Sequence, residues 1–303
     1  SDNFRGFILA FVSSIFIGSS YVVKKIGLQK AGASGTRAAG DGGFSYLIEP
    51  WWWAGMITMV VGEAANFAAY AYAPAILVTP LGAVSIIFRC WLAHFILGER
   101  MHAFGVVGCV LCLIGSTVIV LHAPLDKKIE SVRQVWHLAT QPGFLVYFLV
   151  TLAMAASLIF VYAPRYGQTN MMVYVGICSL MGSLTVMGVK AVAIALKLSF
   201  SGLNQFVYLE TWFFTILVVV FCMLQLIYLN KALDIFQTGV VSPLYYVMFT
   251  TLTIIASTIM FKEWEFEDGT QMAMEWCGFV TILCGILILH KTKDMGGGGA
   301  SVL

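Results

Sequence analysis

Charge is the scarcest resource of this 303-residue chain: Asp, Glu, Lys and Arg together make up 11% of it. A soluble domain carries about 25%. Hydrophobic residues reach 60%, so too little polar surface exists to cover a globule in water. That excludes the soluble enzyme and the disordered chain. A net charge of +2 excludes a nucleic-acid partner held by phosphate contacts. The five histidines are scattered. No Walker loop, catalytic triad, paired carboxylate or His cluster is present, so no enzyme and no resident cofactor is expected. The seven cysteines all lie in apolar runs, and the odd number shows no secreted-type spacing. They read as reduced, buried small hydrophobes, including the Cys109–Cys112 pair.

Long apolar runs take the place of charge. A membrane-spanning helix needs about 20 mostly apolar residues. Nine segments qualify: Phe4–Val23, Trp52–Ala73, Ile76–Leu97, Phe104–Leu121, Phe144–Ala163, Met171–Leu196, Trp212–Asn230, Gly239–Phe261 and Ala273–His290. The expected fold is an all-α polytopic membrane protein, 1–303 forming one membrane domain with the lipid bilayer as its first partner. Residues 4–121 form one half and 144–290 the other. Residues 122–143 link them through a short amphipathic helix lying on the membrane surface, and 291–303 form a flexible cytoplasmic tail. Loop Lys and Arg number nine on one side and six on the other. The positive-inside rule then sets the N-terminus outside and the C-terminus in the cytoplasm.

Helices two to four and seven to nine of this series share an ordered set of features. Asn66, Ala73, Pro80 and Glu99 in the first trio answer to Gln225, Ala232, Pro243 and Glu263 in the second. The last helix of each carries a glycine pair at the same spacing, Gly108/Gly115 and Gly278/Gly285. The trios begin five helices apart, an odd number, so they cross the membrane in opposite directions. Such an inverted-topology repeat recurs in secondary transporters, with the substrate site near the midplane between the halves.

An ionisable side chain at bilayer depth is costly and points to function. Glu63 sits in the middle of its span, with Asn66 and Tyr70 on the same face at i+3 and i+7. Gln225 holds the place of Asn66 in the second repeat. A carboxylate with two amides suits a hard, hydrated cation such as magnesium. Arg89 lies at a depth that would let it pair with Glu63. Glu99 and Glu263 read as solvated helix ends, and the intramembrane serines as packing residues.

At these residues the chain resembles the NIPA magnesium transporters, especially plant NIPA-like members. The strings are Phe16-Ile17-Gly18-Ser19-Ser20, the run from Gly62 to Tyr70, Leu77 to Ala83, Gly115-Ser116-Thr117, Tyr228 to Asp234, Ser242 to Val247 and His290 to Met295. The resemblance runs from about Phe4 to Met295. It implies a nine-helix protein of the drug/metabolite transporter superfamily. Magnesium would be the transported substrate, with weaker transport of other divalent ions, at the plasma membrane and early endosome. On this reading Glu63, Asn66 and Gln225 contact the ion, while Arg89, Tyr70 and Asn230 belong to the pathway or its gate. Arg89 and Ile227 depart from the family's pattern, standing where members usually carry a small residue and Asn. A carrier of small organic metabolites and a non-transporting trafficking scaffold are the rival readings, and a homo-oligomer is left open.

Overall fold

The computed structural model describes residues 2–34, 38–72, 75–99, 103–122, 131–261 and 269–297. All regular structure among them is helical. In order the helices are α1 (Asp2–Ala33), α2 (Pro50–Tyr72), α3 (Ala75–Leu97), α4 (Ala103–His122), α5 (Val132–Ala139), α6 (Pro142–Ser157), α7 (Ala163–Tyr166), α8 (Met171–Phe200), α9 (Leu209–Ile235), α10 (Thr238–Phe261) and α11 (Gly269–Gly297). Among the described residues six stretches are long and apolar enough to cross a membrane: Phe4–Ala33, Pro142–Tyr166, Met171–Phe200, Leu209–Ile235, Thr238–Met260 and Gly269–Ile288.

Two compact units form, and neither is continuous in sequence. The first comprises Ser1–His122, Asn230–Val247 and Ala273–Leu303; the second comprises Ala123–Leu229 and Met248–Met272. In the first unit α1 and α2 run antiparallel in close contact. A Cβ added to Gly27 would lie 2.5 Å from Trp52 N, one on Gly55 would lie 2.6 Å from Lys24 Cγ, and one on Gly62 would lie 2.7 Å from Ile17 Cγ1.

α1 overruns the apolar segment that announces it, which ends at Val23. Gly27 is accommodated in the helix by its close contact with Trp52, and buried Leu28 and Ala31 continue its inner face. Lys24 and Lys25 are therefore buried helix residues and not loop charges. Without them the excess of positive charge shrinks to seven against six. At the other end of the chain α11 runs on to Gly297, so residues 291–297 are helical.

The two glycine pairs meet. A Cβ on Gly115 would fall 2.7 Å from Gly278 O, and one on Gly285 would fall 2.8 Å from Gly108 O. The rising number on one helix faces the falling number on the other, so α4 and α11 are antiparallel. Gly115→Val presses a branched side chain onto backbone. It should destabilise the protein by about 1–3 kcal/mol, the usual cost of overpacking. Thermal unfolding in detergent reads the loss, and an unchanged melting temperature would mean that the helices are not in contact.

In the second unit the apolar face of α5 docks on protein. Ser131 caps it, its Oγ accepting from Gln134 N at 3.2 Å. Val132 and Val135 are buried in a cluster with Phe144, Met187, Ala191 and Phe214, and Trp136 packs edge-on to Phe213 at 5.4 Å. The apolar face docks on protein because a large aromatic surface of α9 is offered to it. Ile129, Lys127 and Lys128 of the expected helix lie outside the described residues, as does Glu263. A single π turn, Leu158–Tyr162, joins α6 to α7. Pro164 lacks an N–H for the Phe160 carbonyl and crowds it, and the widened turn accommodates the proline.

Candidate functional site

The first unit buries an unusual set of polar groups. Lys24 is 1% exposed and Arg89 4%. Both lie over one ring: Arg89 Cζ is 3.6 Å and Lys24 Nζ 4.7 Å from the centroid of Tyr21. The close approach of α3 to α1 makes this possible, since a Cβ on Gly18 would lie 2.9 Å from Ser85 O and 3.5 Å from Arg89 N. Lys24 Nζ also meets the Met59 sulfur of α2 at 3.0 Å.

Glu63 lies one residue past the Gly62 contact on α2 and is exposed. The charges of Arg89 and Lys24 act on its carboxylate, but among the described residues neither forms an ion pair with it. Asn66 stands three residues along the helix and is half-buried. Tyr70 continues α2, and its side chain lies outside what is described. Asn230 is buried in the same unit, where its Oδ1 accepts from Trp52 Nε1 at 3.2 Å. Gln225 belongs to the second unit, and its carbonyl accepts from the Cys178 thiol at 3.4 Å. Ile227 is half-buried nearby on α9. Glu63, Asn66, Arg89 and Asn230 thus share one unit.

A second polar knot closes the end of α3. Gly98 takes a positive φ of 68°, a conformation that glycine adopts without strain, and the turn brings Glu99 back over the helix. Lys25 Nζ donates to Glu99 Oε1 at 2.5 Å and to Phe236 O at 2.6 Å, and Gly239 N donates to Glu99 Oε2 at 3.3 Å. The pair is 7% and 13% exposed, so Glu99 is not the solvated helix end that its position suggests. Beside it a cavity of about 270 Å³ is lined by Cys90, His94, Glu99 and Gln237. The knot ties α1 and α3 to the joint between α9 and α10.

Tyr46, in the short 3-10 turn Ser45–Ile48 that leads into α2, packs on Trp52 at 5.1 Å. Burial lifts its phenol above the ordinary value, and the neighbouring Asn230 amide offsets part of the rise. The serines keep the packing role expected of them: Ser13, Ser14 and Ser20 bond to carbonyls of their own helix. The cysteines divide. Cys109, Cys112 and Cys178 are buried, whereas Cys277 and Cys284 face outward on α11. Among the described residues no three His, Cys, Asp or Glu side chains converge as a metal nest.

Lys24, Lys25 and Tyr21 are functional candidates that apolar-run counting missed. The available signal was the helical spacing of Ser20, Lys24, Leu28 and Ala31, which continues an inner face beyond Val23.

The outer surface is as apolar as the core: Ile57, Val60, Phe95, Phe104 and Ile216 are more than half exposed, while Lys24, Lys25, Arg89, Ser13, Ser14 and Ser20 are buried. A helical protein of this kind is integral to the membrane, and intramembrane charges buried on protein mark the transporter class. The family model described as magnesium transporter NIPA matches residues 1–295, and the chain belongs to that family. It is 69% identical over 295 residues to the probable magnesium transporter NIPA2 of Arabidopsis thaliana, covering 97% of this chain and 88% of that protein. The probable magnesium transporter NIPA1 of the same plant is also 69% identical, with the same coverage. A probable magnesium transporter of Candida albicans is 46% identical over 293 residues, 97% of this chain and 80% of that protein. No solved structure matches.

Proposed function

We propose that the protein carries magnesium across a membrane. The observation that carries this reading is likeness over nearly the whole chain, at 69% identity, to proteins named as probable magnesium transporters. Glu63 is our candidate for the ion's first carboxylate, because it lies in mid-helix and stays exposed while the neighbouring basic groups are buried. Asn66, three residues along the same helix, supplies an amide oxygen, and Arg89, Tyr70 and Asn230 belong to the pathway or its gate. Magnesium keeps several waters and takes few protein ligands, which suits so sparse a set.

Nine spans built as an inverted repeat form the architecture of this reading. The antiparallel meeting of Gly108/Gly115 with Gly278/Gly285 supports it, since equivalent helices of an inverted repeat run in opposite directions. The C-terminus in the cytoplasm follows the small charge excess that remains after Lys24 and Lys25 are set aside. The plasma membrane and early endosome are the proposed sites of action. The aromatic-lined cavity of the second unit does not favour an organic substrate. Its volume is about 120 Å³, below the roughly 300 Å³ at which ligand pockets begin.

Magnesium flux into liposomes that hold the purified protein tests the proposal. At 100 mV a dication gains about 4.6 kcal/mol on entering a negative interior. Uptake should therefore rise with an imposed inside-negative potential and collapse when that potential is dissipated, without ATP. Flux indifferent to voltage points to electroneutral exchange, and absent magnesium flux alongside movement of an organic solute overturns the proposal.

A further inference from the structure

Arg89 and Lys24 are buried cations, and among the described residues neither is ion-paired; Glu63 acts on both through its charge, at longer range than a salt bridge. Among the described residues the Lys24 ammonium meets a thioether and an aromatic face, and Arg89 Nε has no hydrogen-bond partner. Lysine can shed its charge, but arginine cannot. A buried guanidinium with no anion in direct contact is disfavoured.

The start of α10 lies beside α3 and carries further donors. The Cys90 thiol reaches Gly239 O at 3.5 Å, which sets α10 beside the residue that follows Arg89. Thr238 and Ser242 are both 0% exposed, and neither hydroxyl has a hydrogen-bond partner. Tyr245 shares their face at i+7, and it interacts electrostatically with Arg89. All these residues belong to the first unit. The unsatisfied groups are a guanidinium N–H and two hydroxyls, each able to donate. An apolar filling would satisfy none of them, and a metal cation would be repelled.

We infer that the space between α1, α3 and α10 binds a small inorganic anion of chloride size. The anion accepts from Arg89 Nε and from the hydroxyls of Ser242 and Thr238, and Lys24 supplies a second positive charge. Such an anion would neutralise the buried cations that otherwise oppose a dication at Glu63. The site does not depend on the transport reading, and its test contains no magnesium.

The purified protein is melted in detergent at fixed sodium and ionic strength while chloride replaces gluconate. A saturable rise in melting temperature with chloride is expected, because a ligand that binds only the folded state stabilises it. Arg89→Gln should abolish the rise. Ser242→Ala should leave a folded protein that needs several-fold more chloride for half the effect. Equal melting temperatures in the two salts overturn the inference, and so does a chloride response that persists in Arg89→Gln. Should Arg89→Gln not fold, an unchanged half-saturation in Ser242→Ala overturns it.

Discussion

Glu63→Gln is expected to leave the protein folded and inserted while lowering magnesium flux at least about tenfold. The substitution keeps size and hydrogen bonding and removes one charge. Unit charges 4 Å apart attract by about 4 kcal/mol at an effective dielectric of 20, and a dication doubles that. Desolvation takes much of it back, yet only 1.4 kcal/mol need remain for a tenfold effect. The fold should tolerate the change because Glu63 is exposed and, among the described residues, forms no ion pair. Flux in proteoliposomes, compared at matched protein content, is the measurement. Wild-type flux in Glu63→Gln would remove this carboxylate from the pathway.

Lys25→Met should be the most destabilising conservative change in the first unit. It leaves the Glu99 carboxylate buried with Gly239 N as its remaining partner and strips the Phe236 carbonyl of a charged donor. Breaking a buried pair from one side costs about 3–5 kcal/mol. Glu99→Gln should cost less, because an amide oxygen can still accept from Lys25. The double variant Lys25→Met/Glu99→Leu should recover much of the loss, since neither change then strands a charge. Unfolding of the wild type, Lys25→Met, Glu99→Gln, Glu99→Leu and the double variant in one detergent decides it. Additive losses would mean that the two side chains do not act together.

The helical fold was legible because hydropathy acts over whole runs: α3 and α4 lie where Ile76–Leu97 and Phe104–Leu121 put them, with small shifts at the ends. The glycine pairs were legible too, because only small residues at heptad spacing let backbones approach. What escaped was the fate of individual charges. A lysine beside an apolar run reads as loop by composition, and only the three-dimensional position of Glu99 and the Phe236 carbonyl makes burial of Lys25 tolerable. Those partners lie 74 and 211 residues away, beyond any local pattern. Arg89 shows the same limit. Its depth suggested a partner in Glu63, whereas its guanidinium lies over the ring of Tyr21. The protein partner of α5 was illegible for a related reason, since an apolar face is equally satisfied by lipid or by Phe213 and Phe214, and the sequence does not say which is nearer.

The contact between α4 and α11 bears on where such a chain could come from. Gly108 faces Gly285 and Gly115 faces Gly278, so corresponding glycines of the two trios serve both sides of one seam. A surface that matches its own inverted copy is isologous, the kind through which two identical subunits close around a twofold axis. Under the inverted-repeat architecture proposed above, this seam is where a half-length chain would meet its own inverted copy, and the present protein holds as an internal helix contact what such a pair would form as a twofold interface.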